Sequence, residues 1–299
     1  MSTTTTRWTR GDVVGLAIVI VTWGLNFVVM KWGLRGLSPM LMGALRFAVA
    51  ALPFFFLRRP AMPWPYLVGY GLTQGFGQFG CLFLGLQLGM PAGLASVVMQ
   101  TQAFFTLLIG IPLLHEKTKP SQWLGLIVAL GGLTAIACAH GNGVGEMTLI
   151  GFVLTVGAAL MWAVANVVGR MASKSHAYDA VNFIAWTSLV PVAPFLLLAC
   201  WMDSPQQVWT QLVAIRTEGL LVVLYLGLAS TLLAYGLWTR LLQRHAAAQV
   251  APWSLLVPVV GLTAAALAFG EQPLPLQWAG VAAVFAGLVI NQGAAWFRR

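Results

Sequence analysis

Among the amide side chains inside long apolar stretches of this 299-residue chain, five are candidates for a binding site: Asn26, Gln74, Gln78, Gln100 and Asn166. A polar group surrounded by hydrocarbon needs a protein partner or a water-filled cavity. Because an amide both donates and accepts hydrogen bonds, a set of amides suits a zwitterion, whose carboxylate needs donors and whose ammonium needs acceptors. The alternative is structural, since glutamines join packed membrane helices and an asparagine can cap a break in its own helix.

Aromatic side chains accompany the amides. Those near the ends of apolar stretches are typical of the interfacial belt of a membrane protein. Others lie deeper and are candidates for the wall of a cavity. The deeper set consists of Trp23, Trp162, Tyr235, Trp238 and Trp253, to which Ser254 adds a hydroxyl.

Arg46 is the only charged residue well inside an apolar stretch. A charge at that depth is costly, so it needs a specific reason to be there. One interpretation is a structural cation that satisfies backbone carbonyls and holds helices together. The other is a contact for the carboxylate of a substrate.

Titratable groups are missing from the middle of the apolar stretches. Glu116 and Glu271 end two of them, where each would favour the N-terminus of the following helix, and the four histidines also lie at ends. A proton-coupled carrier normally keeps such a group at depth, so the residues favour facilitated diffusion or exchange. We also find no nucleotide-binding loop, no spacing typical of metal ligands and no nucleophile beside a base. We therefore expect no metal, no cofactor and no enzymatic activity.

The composition indicates a membrane protein. The chain is 59% hydrophobic and 8% charged, whereas a soluble domain has about 25% charged residues. Its net charge of +9 comes from basic residues that lie in short breaks between apolar stretches. That placement is typical of membrane topology rather than of nucleic-acid binding. The lipid bilayer is the expected partner, nucleic acid is not, and the oligomeric state is left open.

Apolar stretches of about 20 residues match the thickness of a bilayer. The expected fold is an all-α, polytopic membrane protein of ten transmembrane helices. We place them at 12–32, 40–57, 65–88, 92–114, 121–139, 148–169, 180–201, 219–242, 247–269 and 276–296. The break at 202–218 has the spacing of an amphipathic helix on the membrane surface.

Lysine and arginine indicate the orientation of these spans. If the N-terminus is cytoplasmic, twelve basic residues lie inside, and only Lys31, Arg35 and Arg216 lie outside. Because cytoplasmic loops carry the excess of positive charge, we expect both termini in the cytoplasm.

The second half of the chain repeats the first. At an offset of about 155 positions Glu116 corresponds to Glu271, and the Pro-x-Gln-Trp segment 120–123 corresponds to 275–278. At an offset of about 139, Trp23 corresponds to Trp162. An ordered set of matches of this kind indicates internal duplication.

Each half of the chain, 1–139 and 148–296, contains five expected spans. Because five is odd, the second repeat enters the membrane inverted relative to the first. Inverted repeats usually place a substrate site near the bilayer midplane, at their interface. Prolines inside the spans should kink their helices and could act as hinges; they are Pro53, Pro191, Pro194 and Pro258.

Four segments are distinctive: TWGLNFVVMKWGL from Thr22, ALRFAVAALP from Ala44, GMPAGLASVVMQTQAFFTLL from Gly89 and VAPWSLLVPVVGL from Val250. They resemble the drug/metabolite transporter superfamily, specifically its EamA-type exporters of amino acids and cysteine-pathway metabolites, a fold shared with aromatic amino-acid exporters. The resemblance implies a bacterial inner-membrane protein that works by alternating access. It also implies a cavity lined by the first, third, fourth, sixth, eighth and ninth helices, with the fifth and tenth peripheral.

The expected function is therefore export of a small-molecule substrate, an amino acid or related metabolite, across the inner membrane without ATP. The alternative is a drug or nucleotide-sugar-type carrier on the same fold, with proton coupling as an option. A carrier of nucleotide sugars would favour more basic residues at depth than Arg46 alone.

Overall fold

The computed structural model describes residues 8–114, 118–141, 146–245 and 247–293, and within these ranges the chain forms helices and no strand. Glu116 and the end of the tenth expected span lie outside the described residues. The long helical runs in these ranges are α1 (Arg10–Gly33), α2 (Pro39–Phe55), α3 (64–87), α4 (92–114), α5 (Pro120–Cys138), α6 (Leu149–Ser175), α7 (Ala180–Asp203), α8 (217–244), α9 (247–269) and α10 (Pro275–Gly293).

The all-α membrane fold is confirmed. Among the described residues, seven helices are long and apolar enough to cross a bilayer, and α2 and α10 are shorter apolar helices. The run α3, which carries Gln74 and Gln78, is in neither group. The count of ten spans therefore stays a prediction. A separate helix, Pro205–Val213, lies in the break where the sequence predicts a surface helix.

The duplication is visible in how α5 and α10 begin. The side chain of Gln122 accepts a hydrogen bond from the backbone N–H of Lys119 at 2.9 Å. The side chain of Gln277 accepts one from Leu274, also at 2.9 Å. Each helix has a proline at its first position, where the missing N–H costs nothing. The repeated Pro-x-Gln-Trp segment is thus a helix start used twice.

Glycines hold α5 and α10 together. A Cβ atom on Gly125 would lie 2.5 Å from the carbonyl oxygen of Gly287, and one on Gly132 would lie 2.6 Å from that of Gly280. Small residues allow two backbones to approach this closely. Since the earlier glycine of one helix meets the later glycine of the other, the two helices run antiparallel, as inverted repeats require.

Four helices depart from α geometry at corresponding places. The chain is π-helical at Gly71–Gln78 in α3 and at Tyr225–Leu233 in α8. It forms 3-10 turns at Met99–Thr101 in α4 and at Ala251–Leu255 in α9. Each pair is separated by about 155 positions, the offset between the repeats. Such interruptions are frequent at functional sites, and these four helices meet at the centre of the bundle.

Candidate functional site

A cavity of about 570 Å³ lies at the centre of the bundle. Among the described residues its walls come from α1–α4 and α6–α9, and none come from α5 or α10. The resemblance implied six of these helices; α2 and α7 contribute as well, through Arg46 and Phe183. The volume is typical of small-molecule sites and exceeds that of an amino acid.

The cavity opens at one end of the bundle, which we call the open end. Its rim there carries Arg170, Ser173 and Leu242, all of them exposed. Tyr178 also lines this region, in the connection between α6 and α7, and burial raises the pKa of its phenol above the usual 10. The hydroxyl therefore stays protonated at neutral pH and can donate a hydrogen bond.

At the opposite end, which we call the pinned end, Glu271 ties three helices together. Its carboxylate accepts hydrogen bonds from the backbone N–H groups of Ala92 and Gly93, both at 2.9 Å, in the first turn of α4. The same carboxylate lies 2.7 Å from Nζ of Lys31 at the end of α1. We expected Glu271 to favour the N-terminus of the next helix in the chain. The helix it caps is instead α4, from the other repeat.

Two of the predicted amides reach the cavity with unused acceptors. Asn26 and Gln78 are 6% and 3% exposed and both line the cavity. The Oδ1 atom of Asn26 and the Oε1 atom of Gln78 are buried and lack a hydrogen-bond partner among the described residues. Buried polar atoms are normally paired, so these two oxygens call for a ligand or water.

The side-chain nitrogens of the other three amides donate to protein groups, although Oε1 of Gln74 is also buried without a partner among the described residues. Gln100 and Asn166 line the cavity: Gln100 donates to the backbone oxygen of Ser254 at 3.2 Å, and Asn166 donates to Oε1 of Gln102 at 2.7 Å. Gln74 is not among the lining residues; its Nε2 donates to the hydroxyl of Tyr235. Gln74 therefore positions a wall residue instead of forming the wall.

Aromatic rings form one side of the cavity. The ring of Trp23 lies 5.0 Å from that of Tyr235 and 5.4 Å from that of Trp238, and its Nε1 donates to the backbone oxygen of Ser230 at 3.2 Å. Trp162 lines the cavity from α6. These four rings therefore line one cavity, and their role in binding stays a prediction.

Trp253 lies elsewhere. It is 47% exposed and is not among the described lining residues, whereas the neighbouring Ser254 is. The 3-10 turn Ala251–Leu255 decides which residue faces inward, because its tighter winding rotates each residue relative to an α-helix. We therefore leave Trp253 out of the proposed site.

Arg46 is 1% exposed and lines the cavity from α2. Its Nε and Nη2 donate to Oγ1 of Thr231 at 3.2 and 3.1 Å, and Nη2 also donates to Oγ of Ser230 at 3.4 Å. The guanidinium lies 3.7 Å from the ring centroid of Phe79, a cation–π contact. The arginine thus joins α2 to α3 and α8.

The four candidate hinge prolines lie where helices are interrupted. Pro53 lies in the 3-10 turn that ends α2. Pro191 lies at the break between the two halves of α7, and Pro194 lies in the first turn after it. Pro258 follows the 3-10 turn of α9. Motion about these points stays a prediction.

Sequence reasoning missed Phe79 and Ser230, which line the cavity and contact the guanidinium; Met30 also contacts it but is not among the lining residues. On a regular helix the spacing of Gln100 and Gln102 predicts that at most one of them faces a central path. Both line the cavity, and Gln102 accepts from Asn166. The spacing of Gln74 and Gln78 places the neighbouring Phe79 on another face of a regular helix, so no local signal selects it. Met30 lies one turn after Asn26, a relation that could have been used.

The described walls contain no aspartate, glutamate or histidine. No group of three such residues or cysteines that could hold a metal occurs in the part of the chain that was described. The arrangement offers hydrogen-bond donors, acceptors, aromatic faces and one cation. It is suited to binding a small polar molecule.

Comparison with protein families identifies the chain. The model of the EamA-like transporter family matches residues 10–138 and 149–292. The chain belongs to the EamA-like transporter family. Membership makes it a multi-pass membrane protein of a transporter family, which confirms the family that the sequence segments resemble.

Two curated relatives in this family are named probable amino-acid metabolite efflux pumps. The one from Salmonella typhimurium is 42% identical over 276 residues, 92% of each chain. The one from Escherichia coli is 40% identical over 284 residues, 94% of this chain and 95% of the relative. A more distant relative from Streptantibioticus cattleyicolor, 25% identical over 92% of this chain, is named a probable terminal-alkyne amino-acid exporter.

A solved crystal structure has the same fold as this EamA-like protein. It matches with a TM-score of 0.65 at 20% identity and covers 97% of this chain and 99% of the other. At that identity the match bears on the fold alone. The names of the curated relatives favour a transporter over an enzyme.

Proposed function

We propose that this EamA-like protein exports amino acids and related small metabolites across the bacterial inner membrane by alternating access. One observation carries the proposal: a central polar and aromatic cavity opens at one end of the bundle and is closed by a charged contact at the other. The names of its bacterial relatives point to the same class of cargo.

The substrate site in this proposal is the middle of the cavity. Aromatic faces pack against the apolar part of a substrate, and amides and hydroxyls bind its polar groups. The proposed substrate-binding residues are Trp23, Asn26, Gln78, Gln100, Trp162, Asn166, Tyr235, Trp238 and Ser254. Gln74 acts through its hydrogen bond to Tyr235.

The inverted repeats supply the second conformation. If the two halves exchange arrangements, the open end closes and the pinned end opens around the same site. The interrupted helices and the prolines at their breaks are where such a change costs least, because fewer regular backbone hydrogen bonds are disturbed. The carboxylate-free walls favour facilitated diffusion or exchange over proton coupling.

The positive-inside rule indicates which side of the membrane the open end faces. With both termini cytoplasmic, the open end, which carries Arg170, faces the cytoplasm and Lys31 faces outside. The protein is then in an inward-facing conformation, ready to take up cytoplasmic cargo for export.

The proposal predicts saturable flux of amino acids in proteoliposomes. Purified protein is reconstituted, a panel of radiolabelled amino acids is loaded, and efflux is measured together with a chemical assay for products. We expect saturable efflux of at least one amino acid without its conversion. Conversion of the substrate, or the absence of flux for the whole panel with folded protein, would overturn the proposed function.

Replacing Trp162 with alanine is expected to lower this flux about tenfold, because the cavity loses an aromatic face that contacts cargo. The matched control is Trp201→Ala on α7, since Trp201 is 81% exposed and is not a cavity residue. Both variants should insert and elute as the parent protein does. Equal flux in the two variants would remove Trp162 from the site.

A further inference from the structure

The guanidinium of Arg46 has only neutral partners among the described residues. They are the hydroxyls of Ser230 and Thr231, the sulfur of Met30 at 3.9 Å and the rings of Phe47 and Phe79. No ion pair to this arginine occurs among the described residues, and the described walls hold no carboxylate. A cation that is buried without a counter-ion is costly, so its position facing the cavity calls for an anion that arrives with a ligand.

The hydrogen bonds of Arg46 leave the Nη1 atom of its guanidinium without a strong acceptor. Nε and Nη2 are occupied by Thr231 and Ser230, both on α8. Nη1 has only the thioether of Met30, which is a weak acceptor. A carboxylate oxygen is a much stronger acceptor than a thioether sulfur, so a bound carboxylate would take its place at Nη1.

Unused acceptors belong to two other residues that line the same cavity as this cation. Asn26 Nδ2 donates to the same Met30 sulfur at 3.7 Å, so the amide and the guanidinium flank a single atom. Gln78 immediately precedes Phe79, whose ring lies under the guanidinium. Asn26 and Gln78 both line the cavity, and the side-chain oxygen of each is buried without a hydrogen-bond partner among the described residues. The guanidinium and these two acceptor oxygens therefore belong to residues that line one cavity, and Asn26 shares the Met30 sulfur with Arg46.

We propose that Arg46 is the counter-ion of the substrate's α-carboxylate and that Asn26 and Gln78 receive its ammonium. The inference rests on the proposed function and narrows it. The cargo is an α-amino acid, or a metabolite with the same head, in which both charged groups are free. Amines without a carboxylate are excluded, because their ammonium would enter a cavity that already holds an unpaired cation.

Arg46 also joins α2 to α3 and α8, and a purely structural role would account for those contacts. The two roles differ in what they do to selectivity. A structural arginine affects every ligand alike through the amount of folded protein. A counter-ion affects only ligands that carry a carboxylate, and its removal weakens the discrimination against amines.

The test compares three ligands that share the same side chain and differ only in whether a free carboxylate and a free ammonium are present. The labelled amino acid with the fastest efflux in the proteoliposome panel is competed with its unlabelled form, its decarboxylated amine and its N-acetyl derivative. For phenylalanine the last two are phenethylamine and N-acetyl-L-phenylalanine. We expect the parent protein to be inhibited by the free amino acid at least tenfold more strongly than by either derivative.

Variants of Arg46 then test whether this arginine binds the substrate's carboxylate. Arg46→Gln should weaken inhibition by the amino acid about tenfold to a hundredfold, since a charge-assisted pair is lost, and should improve inhibition by the amine. Arg46→Lys keeps the charge and should preserve the preference for the carboxylate in part. Arg35→Gln is the control, because Arg35 is exposed, lies 5.4 Å over the ring of Phe269 and lines a separate pocket at the pinned end instead of the central cavity.

Each outcome decides the matter. Flux in the parent protein with the amine as good a competitor as the amino acid would overturn the carboxylate site while the proposed function stands. Unchanged ligand preference in folded Arg46→Gln would do the same. If Arg46→Gln does not fold, the preference of Arg46→Lys and of the parent protein still supports or overturns the inference. Lack of any amino-acid flux would remove the proposed function and the inference with it.

Discussion

Replacing Gly132 with leucine is expected to destabilise the protein strongly and to reduce the yield of folded material. A Cβ atom there would lie 2.6 Å from the carbonyl oxygen of Gly280, 2.8 Å from the backbone nitrogen of Val284 and 3.0 Å from Cβ of Ala283. Two of these three atoms belong to backbone, so no side-chain rotation relieves the clash and α5 and α10 must separate. Overpacking typically costs about 1–3 kcal/mol, and a leucine facing backbone should reach or exceed that range.

The adjacent Gly131 provides a matched control. A Cβ atom on Gly131 has no atom within 4 Å, and the residue is exposed on the same helix. Gly131→Leu therefore makes the same change of helix propensity and hydrophobicity without the clash. We expect the thermal midpoint of the detergent-solubilised Gly132→Leu protein to fall about 5–10 °C below that of Gly131→Leu. Equal midpoints would contradict the close packing of α5 on α10.

Replacing Glu271 with alanine is expected to open the pinned end. The variant loses two hydrogen bonds to the backbone of α4 and the ion pair with Lys31. Hydrogen bonds to a charged group contribute about 1.5–3 kcal/mol each. Because about 1.4 kcal/mol changes an equilibrium tenfold, the loss of both hydrogen bonds should shift the population of open and closed states by at least about a hundredfold.

Thiol labelling measures this shift. Ser96, one turn into α4 from the contact, is fully buried and lines the cavity. A Ser96→Cys probe is made in a background that lacks Cys81, Cys138 and Cys200, and an impermeant maleimide is added from the side of Lys31. We expect Glu271→Ala to raise the labelling rate at least tenfold.

Glu218→Ala is the control for this experiment, since Glu218 is an exposed glutamate at the same end of the bundle. It should leave the labelling rate unchanged. Equal rates in the Glu271→Ala variant and the parent protein would mean that the carboxylate does not close this end.

Much of the fold was predictable from the sequence, for a local reason. In a bilayer each span must satisfy its own backbone hydrogen bonds, so the length and polarity of each stretch decide where helices begin and end. The predicted start of the fifth span at 121 lies one residue from the observed start of α5 at Pro120. The repeated Pro-x-Gln-Trp segment acts locally too, which is why its glutamines cap both helices in the same way.

The candidate site was only partly predictable. The family follows from the resemblance of several segments, and the choice of amides and tryptophans as candidates follows from their expected depth in the spans. The sequence does not predict that Ser254 lines the cavity while Trp253 does not, because a 3-10 turn changes which side of α9 faces inward. Gln74 likewise lies among the expected wall residues in the sequence, yet its partner is Tyr235 from the other repeat.

The sequence by itself determined that this chain is an all-helical membrane protein, and it predicts a duplicated design with a polar interior and a single deep arginine. These properties depend on composition and on periodicity along one chain. Only the tertiary structure decided that Glu271 caps α4, that Phe79 lies under Arg46 and that the cavity opens at one end. Those contacts join residues from different helices, and they depend on how the helices rotate and pack against one another. No pattern within a single span specifies that rotation.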